Sequence, residues 1–443
     1  MAAMPEISFT EYAERRQRVL KHIGADSVAI INASTLKTRN HDAEYIFRQD
    51  SDFYYLTGFN EPEAVAVLIP NRAEGEYVLF CRERDPAAEQ WTGYRAGIEG
   101  AKAKYGANES YPISQLAEIM PKLLANKDCV YYRMGMDWIF DKQVFTWLNG
   151  VRAQVRAGIK APTTFKMLDE LVHEMRLIKS EAELAVMRHA AQIAAQAHTR
   201  AMQVCQTDMY EYEVEAVIAH EFRRHGMETA YTSIVGGGKN GCILHYIENR
   251  DPLNAGDLLL IDAGAEYQCY ASDITRTFPV NGKFSPAQKA LYQVVLDAQY
   301  AAINTVRPDA LWDDVHQAAV SVLVDGLINL GLLTEAKDKI LADSLYRKFY
   351  MHRTGHWLGL DVHDVGAYKV EGEWRRLQAG MVLTVEPGLY IPAEEGIDPK
   401  WWHIGIRIED DVLVTESGCE VLTAGVVKEI SAIESLMAQG KGI

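Results

Sequence analysis

Thiols are scarce and scattered in this sequence. Its six cysteines (Cys81, Cys129, Cys205, Cys242, Cys269 and Cys419) form no C-x-x-C pair, which argues against a disulfide framework or a thiolate zinc site and leaves them as small, reduced hydrophobic fillers. Positive charge is short as well. Lys and Arg number 45 against 61 Asp and Glu, a formal net charge of -16. Nucleic-acid affinity rests on Lys and Arg displacing counterions, so nucleic acid and anionic membrane are poor partners. There is no run of ~18 apolar residues able to span a bilayer. The opening stretch MAAMPEISFTEYAERRQ carries acids and no apolar h-region, so the expectation is a cytoplasmic protein. Serine is absent from any G-x-S-x-G context and no cysteine has a nearby histidine in a nucleophile setting, which disfavours covalent catalysis. The string GGGKNG over 236–241 lacks the phosphate-loop spacing, with Asn240 where a magnesium-binding hydroxyl would stand. It reads instead as a turn approaching His245.

What is present is the composition of a folded chain, 48% hydrophobic and 24% charged. Single cores stop growing near ~250–300 residues, so 443 residues imply two domains. Residues 1–175 alternate short β-rich runs (28–31, 64–69, 77–80, 129–132) with helical stretches such as 12–22, an α/β pattern. The turn-rich GIKAPTT, 158–164, is the linker candidate ahead of a second domain, 176–443. That domain opens on a helix capped by Ser180, with Glu183 at the position that completes a capping box. Leu184, Met187, Ala191 and Ala194 share one face of it, which predicts packing on a sheet.

Two segments of the second domain resemble each other. AGDLLLIDAGAEY (255–267) and AGMVLTVEPGLYI (379–391) each run from an Ala-Gly turn through an apolar strand to a carboxylate, Asp262 and Glu386, with a glycine two residues on. Each is followed by a second acidic strand, ASDITRTFPV with Asp273 and GIRIEDDVLV with Glu409. The pattern suggests an internal duplication offering paired carboxylates to a shared site. Ionised carboxylates are costly to bury unpaired, so something cationic must compensate them. Read as one strand, 405–415 places Ile406 and Ile408 on one face and Arg407, Glu409 and Asp411 on the other. Histidine supplies the missing ligand type: His352, His356 and His363 cluster in MHRTGHWLGLDVHD, among glycines that permit close backbone approach. Asp262, Asp273, His356, Glu386 and Glu409 together make four carboxylates and one imidazole. This oxygen-rich set suits Mn²⁺, Co²⁺ or Zn²⁺ and needs roughly two divalent ions to be tolerable. Two metals ~3.5–4 Å apart hold a bridging hydroxide and clamp a substrate oxygen, so hydrolysis is the implied reaction.

The strings HRTGHWLGLDVHD, IDAGAEYQCYASDITRTFPV, VEPGLY and GIRIEDD, in this order, resemble the M24 metallopeptidase family. The resemblance implies an α/β N-terminal domain joined to an α+β catalytic domain of the pita-bread type. It implies that Asp262, Asp273, His356, Glu386 and Glu409 are the ligands of two divalent ions, most often Mn²⁺ in proline-directed members. By the same carry-over His245 and His363 bind substrate and stabilise the transition state, His352 sits beside the substrate's proline, and Glu386 shuttles a proton. Arg407 and Tyr390 hold a ligand carboxylate. Arg353 follows His352 where the family commonly has glycine. FRQDSDFYYLTGFNEPEAVAVLIP and DPAAEQWTGYRAG resemble the aminopeptidases of this family that remove the residue preceding proline from a peptide's N-terminus, with prolidase the alternative and a non-catalytic pita-bread module a remote one. The likeness further implies a homodimer or homotetramer in which Trp91 and Asp42 reach a neighbouring subunit's site.

Overall fold

The computed structural model describes residues 4–440. The chain forms two compact units, Ile7–Arg176 and Leu177 onward, the latter joined by the residues preceding Ile7.

The first unit is built on six strands: β1 (Ser27–Asn32), β2 (Val65–Leu68), β3 (Tyr77–Cys81), β4 (Glu109–Pro112), β5 (Cys129–Tyr132) and β6 (Thr164–Lys166). They lie in the order β4-β3-β2-β1-β5-β6. β1 pairs antiparallel with β2 and parallel with β5, and β3 pairs parallel with β4. The central strands are buried throughout, as expected where near-continuous runs of Val, Ile, Leu and Phe are covered on both faces. Helix α1 (Phe9–Ile23) is capped by Ser8 and buries Tyr12, Val19 and Leu20.

The linker expected over 158–164 lies inside this unit. Thr164 opens β6, which pairs parallel with β5, and Lys160 N donates to Asn126 Oδ1. The stretch thus finds hydrogen-bond partners at the sheet edge, and the two units divide after Arg176.

In the second unit α2 (Glu181–Val204) starts at the predicted capping box: Ser180 Oγ accepts from Glu183 N, and Glu183 accepts from Ser180 N. Leu184, Met187, Ala191 and Ala194 are buried, and His198 Nε2–H donates to Ala263 O at 2.9 Å, docking the helix beside a strand end. Helices α3 (Glu211–Arg224), α4 (Pro286–Thr305) and α5 (Trp312–Asn329) complete the surround.

The two similar segments form two similar antiparallel pairs. β7 (Ile234–Gly237), β8 (Leu258–Asp262) and β9 (Thr275–Pro279) make one sheet, with Asp262 opposite Thr275. β10 (Val382–Val385), followed by β11 (Gly388–Tyr390) and β12 (Gly405–Arg407), pairs with β13 (Asp410–Val414), Val385 opposite Asp410. In each pair one carboxylate ends the first strand or follows it directly (Asp262, Glu386), and another just precedes the second (Asp273, Glu409). The strand expected over 405–415 is broken at Ile408 and Glu409. Glu409 N donates to Thr275 O, tying the two halves together. The break keeps Arg407 and Glu409 on the shared cavity, while the Asp411 carboxylate accepts from Asp273 N at 3.1 Å.

Candidate metal centre

Between these halves lies a cavity of about 490 Å³ lined by Tyr231, His245, Asp262, Asp273, His352, His356, His363, Glu386, Arg407 and Glu409, among others. The structure thus brings together every sequence-predicted residue of the second unit, with Tyr390 touching two of them from behind. Asp273, His356 and Glu409 offer ligand atoms all within 4.8 Å of one another. His356 Nε2 stands 3.5 Å from Asp273 Oδ2 and 3.9 Å from Glu386 Oε1. Its Nδ1–H donates to Trp357 O at 2.9 Å, which fixes the tautomer and leaves Nε2 directed at the carboxylates. Gly355 is obligatory beside it: a Cβ there would stand 2.0 Å from Thr384 O.

The electrostatics are those of crowded negative charge. Burial, aided by Asp273 and Asp262, lifts Glu386 to about 7 against the pull of His356 and Arg407. Burial with Asp273, Glu386 and Asp262 drives Glu409 well above the carboxylate range, and burial with Asp262 raises Asp273. Burial opposes charge on His356 too, yet Asp273 and Glu386 hold it up at about 9. Without added cations, ionisation of Asp273, Glu386 and Glu409 is disfavoured, because burial and their mutual repulsion outweigh the positive charge of Arg407 and His356. Divalent cations fit the need and the donor chemistry: four carboxylates, one imidazole aimed through its free nitrogen, no thiolate.

Behind the ligands runs a connected polar layer. Arg407 Nη2 donates to Asp262 Oδ2 at 2.6 Å, its Nε to Thr275 Oγ1, and its Nη1 to Tyr390 OH at 3.0 Å. Thr275 Oγ1 donates to Glu409 Oε2 at 2.6 Å. Tyr390 OH donates to His352 Nε2 at 2.9 Å, while His352 Nδ1–H donates to Arg353 O at 2.7 Å. Burial and Arg407 depress His352 to about 3, so it is a neutral imidazole at physiological pH. His363 stands edge-on to His356, ring centres 4.3 Å apart, and burial with His356 lowers it as well. Arg353 pairs with Asp313 and covers the Trp374 ring at 5.1 Å.

Tyr231 was not predicted. Its hydroxyl lies 2.5 Å from both Asp262 Oδ1 and Asp273 Oδ1, bracing one carboxylate of each strand. The register explains its reach, since Ile234 pairs with Asp262 and Tyr231 stands just before that strand. Without the pairing of β7 to β8, nothing in the sequence sets this tyrosine apart. Trp91 and Asp42 belong to the first unit, where both are exposed, Trp91 to 88%.

The family model "Metallopeptidase family M24" matches residues 185–416, and "Aminopeptidase P, N-terminal domain" matches 12–131. The chain is 47% identical over 440 residues to the Xaa-Pro aminopeptidase of Escherichia coli K12, covering 99% of this chain and 100% of that protein. It is 44% identical to the Xaa-Pro aminopeptidase of Haemophilus influenzae, over 99% of each. The fold superposes on the solved structure of Pseudomonas aeruginosa aminopeptidase PepP with a TM-score of 0.98 at 52% identity, covering 99% of this chain and 100% of that one. The chain belongs to the M24 metallopeptidase family, with an aminopeptidase P-type N-terminal domain and a pita-bread catalytic domain.

Proposed function

We propose that this protein is an Xaa-Pro aminopeptidase, hydrolysing the bond between the first residue of a peptide and a proline that follows it. The observation that carries the reading is the meeting of Asp262, Asp273, His356, Glu386 and Glu409 in one cavity. It occurs in a chain alike over its full length to Xaa-Pro aminopeptidases.

These five residues would hold two divalent ions, Mn²⁺ first among the candidates with Zn²⁺ or Co²⁺ the alternatives. The ions would supply Lewis acidity toward the scissile carbonyl and lower the pKa of water. The protein's own groups do the rest. Glu386, lining the cavity beside His356, is placed to take the proton of the attacking water and pass it to the leaving proline nitrogen. His363 and His245 line the cavity as hydrogen-bond donors to the carbonyl oxygen as it becomes negative. His352, kept neutral and oriented by Tyr390, flanks the proline ring. Arg407 fixes Asp262 and, through Tyr390, His352.

In this reading the protein works in the cytoplasm as a homodimer or homotetramer, with Trp91 and Asp42 closing a neighbouring subunit's cleft around longer peptides. The exposed indole supports that role, since a tryptophan at 88% exposure packs little within its own unit. Comparing an Xaa-Pro dipeptide with an Xaa-Pro-Xaa tripeptide tests the proposal. The tripeptide should be cleaved with the higher kcat/KM; preference for the dipeptide would make the chain a prolidase.

A further inference from the structure

The glycine-rich turn over 236–241 enters none of the chemistry above, yet the contacts that hold it lead to one side chain. Glu211, the first residue of α3, is completely buried. Its Oε1 accepts hydrogen bonds from Gly237 N at 2.8 Å and Asn240 Nδ2 at 3.0 Å. Its Oε2 accepts from Tyr246 OH at 2.7 Å and Asp251 N at 2.9 Å. The Glu211 N–H donates to Asp251 O. All four donors to the carboxylate come from a single segment, 237–251, and that segment carries His245.

His245 cannot place itself. Among the described residues its imidazole makes no hydrogen bond, and it is exposed next to the buried Tyr246. Its position is therefore that of its backbone. Tyr246 packs with Ile234, Leu260 and Tyr390, and the turn seats directly on β12, where a Cβ on Gly405 would stand 2.1 Å from Gly241 O. One side of the loop thus rests on the strand that carries Arg407, and the other is gathered onto Glu211. A buried carboxylate left short of donors is costly, so the loop has one favourable placement, the one that satisfies both oxygens.

We propose that Glu211 is a positioning residue for His245, holding the 237–251 loop so that this imidazole meets the substrate oxygen. The inference rests on the role given to His245 above. Glu211 does not line the cavity and touches no reacting atom.

The test is a double-mutant cycle of Glu211→Gln and His245→Ala, with metal content and thermal midpoint recorded for each. Gln keeps the shape but turns one acceptor into a donor facing donors. In the wild-type background it should lower kcat roughly 10- to 10²-fold, the scale of a misplaced group, with metal content unchanged. In the His245→Ala background it should cost nothing further. Tyr246→Phe, which removes one of the four hydrogen bonds, should give a smaller loss with the same dependence on His245. The imidazole Cε1–H signal of His245, assigned by its absence in His245→Ala, should shift in Glu211→Gln while those of His356 and His363 hold. Equal kcat losses in both backgrounds, or an unmoved His245 signal, would overturn the proposal. A His245→Ala variant as active as wild type would instead overturn the role of His245 itself.

Discussion

Glu409 and Asp410 are neighbours in the chain and both are buried, to 2% and 0% exposure, yet the fold treats their charges oppositely. Burial alone would raise both. Asp410 is nonetheless held down at about 2, because Arg276 and Lys428 surround it: Arg276 Nη2 and Thr423 Oγ1 donate to one oxygen, Lys428 Nζ and Gln299 Nε2 to the other, all within 2.7 Å. Glu409, one residue earlier, faces Asp273, Glu386 and Asp262 and is driven well above its usual range. One carboxylate has every lone pair answered by protein, and the other lacks a cation the protein does not provide. Neighbouring side chains of an extended chain point to opposite sides, which is how consecutive residues meet such different surroundings here. The contrast teaches that buried charge marks a site for an exogenous cation only where the fold withholds its own countercharge.

The sharpest way to break this comparison is at the site. Glu386→Ala should reduce turnover of an Xaa-Pro tripeptide to well under a tenth of wild type. The chain should stay folded, because removing one of four crowded acids relieves repulsion in the metal-free protein. Circular dichroism with an activity assay checks both. His363→Ala should bind as much metal as wild type but lose roughly 10²–10³ in kcat, the usual cost of removing one donor to a developing oxyanion. A parallel fall in metal content would make His363 a ligand. On the structural side, Asp410→Asn should destabilise the chain by about 3–5 kcal/mol in urea titrations, because it strands Arg276 and Lys428 without their counter-ion. Glu409→Gln in chelator should show no such loss.

The pH response gives the smallest effect and separates the two acids by sign. Asp410 has a depressed pKa, so its contribution is present above ~4, the unfolded carboxylate range, and is lost as pH falls through about 2. Glu386 has a raised one. In metal-free protein its contribution is full below ~4.3 and is lost as pH rises through about 7. Unfolding midpoints in chelator, wild type against Glu386→Gln between pH 4 and 8, should therefore converge at low pH and separate as pH rises.

Much of this was legible because it breaks pattern. Asp262 and Glu386 stand where apolar strands enter a core, and His352, His356 and His363 crowd one glycine-rich stretch. The capping box at Ser180 is equally visible, being a local hydrogen-bond exchange. What stayed hidden depends on pairing between distant segments. Tyr231 gains its role only from the register of β7 on β8. Glu211 reads as an ordinary acid in the first turn of a helix until the loop donors around it are seen. Asp410 and Asp411 look alike in sequence; both lie in β13 on opposite faces, and only what packs on each face gives one to Arg276 and the other to the backbone of Asp273. The stretch 158–164 has the composition of a linker, yet an edge strand can begin in such a sequence when a neighbour supplies the hydrogen bonds.

The most direct test of the central claim, that the fold leaves four carboxylates and an imidazole for divalent ions to complete, is stoichiometric. Protein stripped with chelator and verified metal-free would be titrated with Mn²⁺ while bound metal and tripeptide hydrolysis are followed together. The account predicts no hydrolysis in the stripped protein and activity that returns as two ions bind per chain. Full activity in the metal-free protein, or recovery with no metal bound at this site, would contradict it.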